Sequence, residues 1–115
     1  MKFKSKEKVD EYIGKLVVEY KDLTFYMPRK VLKSPNAAGM AFGYAFKNKK
    51  TGANSIMLLP EYFFKDGKLE ADYDKCKFID PLGWTDSSSN PLPFKKEYTE
   101  KEFLKSLKLI SNTNI

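Results

Sequence analysis

The chain has 115 residues, 42% of them hydrophobic, with a formal net charge of +6, one cysteine and no histidine. That length predicts a single domain over residues 1–115, able to bury one core without disulfides or metals. The lack of histidine excludes triads, zinc sites and haem ligation built on that residue, and solitary Cys76 excludes an internal disulfide framework, fits a reducing compartment and has no histidine to activate it.

The N-terminus, Met1-Lys2-Phe3-Lys4-Ser5-Lys6, leads into an amphipathic pattern rather than the apolar stretch of a signal peptide. No apolar run approaches the roughly 18 residues of a membrane span, so a cytoplasmic protein with no membrane partner is expected. From residue 5 to about 21, Val9, Ile13, Leu16, Val17 and Tyr20 recur at helical spacing, with Tyr12 on the same stripe and Ser5 placed as the N-cap. Glu11 with Lys15, and Lys15 with Glu19, are expected to pair on the opposite face. Gly14 costs this helix about 1 kcal/mol relative to alanine, and Leu16-Val17-Val18 also fits the start of a strand.

Leu23, Phe25 and Met27 alternate with Thr24 and Tyr26, predicting a strand over 23–27 that Pro28 closes. Residues 29–32 read as one helical turn and Ser34-Pro35-Asn36 as a turn. The stretch 39–59 organises the rest. Met40, Phe42, Tyr44 and Phe46 alternate with Ala41, Gly43 and Ala45, so a strand here carries large groups on one face and almost none on the other. Something must pack close against the flat face, and a helix is the expected neighbour. Lys47-Asn48-Lys49-Lys50-Thr51-Gly52 supplies a hairpin loop, and 54–59 returns as a strand covered on both sides.

Pro60 interrupts the pattern and Tyr62-Phe63-Phe64 resumes it. Asp66-Gly67 marks a turn, and Lys77-Phe78-Ile79 reads as a last short strand. Residues 81–93 form a long loop that begins near Trp84. Thr99 and Glu102 make a capping box for a helix over 100–111 with an apolar stripe of Phe103, Leu104, Leu107 and Ile110, after which 112–115 should fray. The predicted fold is α+β: an antiparallel sheet of three to five strands centred on a 39–59 hairpin, with an N-terminal and a C-terminal helix on it.

No catalytic constellation emerges, and no cofactor motif or metal-ligand set is recognised. Glu19-Tyr20-Lys21 and Asp66-Gly67-Lys68 match the acid-x-lysine triplet of some metal-dependent nucleases, in which carboxylates hold the metal and lysine stabilises developing charge; such triplets arise readily in a chain this rich in both. Asp66, Glu70, Asp72 and Asp74 form an acidic pole, but the glycine follows the first aspartate too closely for a calcium loop. Arg29, Lys30 and Lys33, then Lys47, Lys49 and Lys50, form two basic spots with no acid between Asp22 and Glu61. These six are the candidate nucleic-acid contacts. Lysine dominates over arginine, in keeping with an AT-rich genome, and the aromatic ridge departs from RNA-binding strand motifs at Met40, Gly43 and Ala45. Trp84, Tyr44 and the four acids are the candidate partner contacts. The expectation is a non-catalytic protein-interaction or inhibitory accessory protein of a phage or other mobile element. A basic nucleic-acid binder is the alternative, and a small metal-dependent nuclease dependent on Glu19 or Asp66 comes third.

Overall fold

A computed structural model describes residues 2–81 and 97–111. Helix α1 spans Lys6–Glu19 and helix α2 spans Glu100–Ser111. Among the described residues between them lie six strands: β1 (Leu23–Tyr26), β2 (Arg29–Ser34), β3 (Ala37–Phe42), β4 (Ala45–Asn48), β5 (Met57–Lys65) and β6 (Lys68–Ile79). The class is α+β with antiparallel pairing throughout. Among the described residues no helix is long and apolar enough to cross a membrane.

The helix ends follow their local chemistry. The Ser5 side chain accepts the Lys8 N–H at 3.4 Å and starts α1, which continues through Val17 and Val18 with both exposed, so no strand begins there. The ion pairs on α1 are Lys6–Asp10 and Lys8–Glu11, not the expected pairs at Lys15. At α2 the Thr99 N–H donates to the Glu102 carboxylate at 3.1 Å, while the Glu102 N–H donates to Thr99 Oγ1 at 3.2 Å; the capping box is complete.

The strands pair two by two, yet β1, β2, β3 and β4 belong to one long hairpin. The β1–β4 and β2–β3 pairs lie in a single register, and the Gly43 N–H donates to the Pro28 carbonyl at 2.8 Å in that same register. The ladder is interrupted because Pro28 has no N–H to return. Residues 29–32, expected as a helical turn, are therefore part of the strand Arg29–Ser34, and Pro35-Asn36 makes the turn at its tip. At about 3.3 Å per residue each side of this hairpin is roughly 40 Å long, consistent with a longest molecular dimension of 50 Å.

The second hairpin is β5–β6. Its tip is Asp66-Gly67, with φ of 52° and 79°, the pair of left-handed residues that a type I′ turn requires. Pro60 does not end the strand. It sits where the register shifts between Leu59 and Glu61, an irregularity that puts Leu59 and Tyr62 on the same face. Residues 53–58 run beside β4 through bridges at Tyr44–Leu58 and Lys47–Asn54, so the expected 39–59 hairpin is present as the seam joining the two long hairpins. At the loop of that seam, buried Asn48 accepts the Lys50 and Thr51 N–H groups and donates to the Ile110 carbonyl near the end of α2.

The core divides accordingly. On one side of the seam, Tyr44, Phe46, Leu58 and Phe78 pack beneath Val9, Ile13 and Leu16 of α1 and Phe103, Leu107 and Ile110 of α2. On the other side, Ala41, Ala45, Met57 and Ile79 form a second cluster with Leu32, Leu59, Tyr62 and Leu69. The flat face of the 39–46 strand does receive a close neighbour, but it is the β5–β6 hairpin rather than a helix. A Cβ on Gly39 would lie 2.8 Å from Leu69 Cβ, and one on Gly43 would overlap the Met57 side chain.

Candidate interaction surface

The two hairpins reach beyond the helices as arms that meet through their inner faces. Arm I is β2–β3 and arm II is the far half of β5–β6. Tyr62 latches them: its hydroxyl accepts the Phe42 N–H at 3.0 Å and donates to the Phe42 carbonyl at 2.7 Å. Burial raises the Tyr62 pKa, which keeps that hydroxyl protonated for both bonds. Beside the latch is a cleft of about 200 Å³ lined by Leu32, Ala41, Leu59, Tyr62 and Ile79, with Glu61 and Lys77 also on its wall.

The aromatic ridge is covered only where the helices reach. Tyr44, at 4% exposed, and Phe46 are core residues, whereas Met40 is 46% exposed and Phe42 half-buried. Directly opposite one another on β2 and β3 are Arg29 and Phe42, Val31 and Met40, and Lys33 and Ala38. Cross-strand partners share a face, so the outer face of arm I has Val31 (44% exposed) and Met40 at its centre with Arg29 and Lys33 at opposite ends. Lys30 pairs with Ala41 and belongs to the inner face. Lys47 is exposed on β4, and Lys49 and Lys50 are exposed in the following loop, at the far end of the long hairpin. The six candidate nucleic-acid contacts are thus split between two ends and two faces.

Even so, they have a collective property. They are the six cations between residues 23 and 60, a span with no acid; the other 15 of the chain's 21 cations are matched by its 15 acids. The whole net charge of +6 therefore belongs to the first hairpin and the return strand beside it.

Arm II has the opposite character near its base. Glu61 faces Asp72 and Phe63 faces Glu70, giving an outer face with three acids around a phenylalanine that is 42% exposed. The expected acidic pole is present in Glu70 and Asp72, with Glu61 as an added member. Asp66 is at the tip, and Asp74 is drawn aside, its carboxylate accepting the Lys4 N–H at 3.0 Å. Tyr44 is removed from the partner-binding candidates by its burial. Trp84 and most of the expected 81–93 loop lie outside the described residues, as does 112–115. Glu19 ends α1, beside the start of β1, whereas Asp66 caps arm II, so the two candidate nuclease acids occupy separate ends of the fold.

Cys76 is buried, its thiol donating to the Tyr73 carbonyl at 3.4 Å and pushed up to about pKa 11 by burial. It behaves as a packing residue. Val31, Met40, Glu61 and Phe63 are the surface residues that sequence reasoning missed; for Val31 the signal was an apolar residue midway between Arg29 and Lys33. No family model, curated protein or solved structure matches this chain.

Proposed function

We propose that the protein is a non-catalytic interaction protein that docks the outer face of arm I onto an acidic surface of another protein. The observation that carries this reading is an exposed apolar pair, Val31 and Met40, set between two cations within the acid-free span 23–60 that holds the whole net charge. An apolar centre with a charged rim is the anatomy of a protein interface. A nucleic-acid track would call for cations along one continuous line, and Val31 and Met40 cannot stack bases as aromatic rings do. The acid-free span does favour a polyanion in general, which keeps nucleic acid as the second reading.

An accessory or inhibitory role in the cytoplasm fits a small chain whose one cysteine is buried and inert. Origin in a phage or other mobile element rests on composition. The test is capture from nuclease-treated cytosol of the natural host on immobilised protein, beside a Val31→Glu/Met40→Glu double variant whose melting is checked first. One protein retained by the parent, lost by the variant and released by salt is the expected result. Equal retention by both, no retained protein, or salt-sensitive binding of oligonucleotides alone overturns the reading.

A further inference from the structure

The backbone of β2 specifies how such a partner is held. In an antiparallel ladder, opposed residues alternate between pairs that exchange hydrogen bonds and pairs that do not. The Gly43 N–H to Pro28 carbonyl bond marks the 28/43 pair as a bonded one, so by alternation Lys30–Ala41, Leu32–Gly39 and Ser34–Ala37 are bonded pairs. Arg29, Val31 and Lys33 fall on the pairs between, and their N–H and C=O groups point away from β3. Tyr62 confirms this phase from the other side, because it binds both backbone groups of Phe42, the residue opposite Arg29. Among the described residues no backbone hydrogen bond reaches the outer edge of β2.

We infer that the outer edge of β2 takes up an added strand from an extended acidic segment of the partner, with the pattern acid-x-apolar-x-acid. This rests on the interaction reading above and names its mode. An incoming strand lines its alternate side chains beside Arg29, Val31 and Lys33, so two carboxylates meet the cations. The apolar group between them extends the row formed by Val31 and Met40. The pattern is symmetric, so either strand direction satisfies it. Exposed edge lysines normally protect a strand against pairing, and here they exclude a second β2 by repulsion of like charge while admitting an acidic strand. Arg29 and Lys33 therefore both disfavour pairing of this edge with a second β2 and select an acidic strand.

The probe is a fluorescein-labelled peptide, Thr-Glu-Thr-Val-Thr-Glu-Thr, added to the intact protein at low ionic strength and followed by anisotropy. Two N-methylated versions, each methylated on one alternate set of backbone amides, keep the charge and side chains. In a strand only one set faces β2, so one version should bind at least about tenfold more weakly and the other should bind like the parent. Amide exchange should slow at Arg29, Val31 or Lys33 when the parent peptide is added, and Val31→Pro, which removes an outward N–H without touching the β3 ladder, should weaken binding. Equal affinity of both methylated versions would show docking on the face alone, overturning strand addition while leaving the interaction reading in place. Absence of peptide binding also overturns strand addition, and the interaction reading then stands or falls on the capture experiment with the double variant.

Discussion

Gly43 shows how much one residue decides. Its hydrogen bond to Pro28 carries the first hairpin past a proline, and its missing side chain leaves room for Met57, itself fully buried. Gly43→Ala forces Met57 into a packed neighbourhood, and the expected loss is about 1–3 kcal/mol by chemical denaturation. A loss near zero would mean that Met57 moves aside freely. The requirement for a small residue here was legible in the alternation of 39–46, but its partner was not: Met57 is brought opposite by a second hairpin that closes through tertiary packing. Residues whose neighbours are local in sequence were read more fully. Ser5, Thr99, Glu102 and Asp66-Gly67 all do what their positions predicted, because caps and tight turns are settled within a few residues.

Among the elements, the C-terminal helix was the clearest and β2 the most obscure. Strand β2 has no fully buried residue, so its alternation is faint, and Arg-Lys-Val-Leu suits a helical turn equally well. It is a strand because β3 lies beside it and the register of β1–β4 propagates through Pro28. The same opacity conceals the outer face of arm I: in the sequence Arg29 and Lys33 read as charges, not as the two ends of an apolar sheet face. The arms stay together through the Tyr62 latch as well as through packing. Tyr62→Phe leaves the Phe42 N–H and carbonyl without that partner, and the expected cost is about 1–3 kcal/mol. The change should appear first as faster amide exchange at Phe42, with the helix-covered core still protected. Exchange that rises evenly across the chain would show that the arms and core unfold as one.

At the scale of the whole molecule, the tyrosines tie folding to alkaline pH. Burial is the largest cause raising Tyr12, Tyr26, Tyr44, Tyr62 and Tyr73 above the ordinary value of 10.0, and at Tyr12 the nearby Glu100 carboxylate adds to it. A raised tyrosine pKa means that the folded state holds its proton more tightly than the unfolded chain. Their contribution is therefore complete below about pH 10 and falls as pH rises above it. The melting temperature should decline from there upward, with much of the tyrosinate absorbance appearing together with unfolding. Full tyrosinate absorbance at that pH in a chain with native circular dichroism would contradict the burial of these rings. By itself the sequence determined the two helices, the turns, the alternating ridge and flat face, and the run of 38 residues without an acid, since each follows from short-range periodicity, capping or composition. Tertiary structure alone decided that the flat face meets a hairpin, that the helices stop short of Met40, and that β2 presents an edge unpaired among the described residues, because these depend on which distant segments share a ladder.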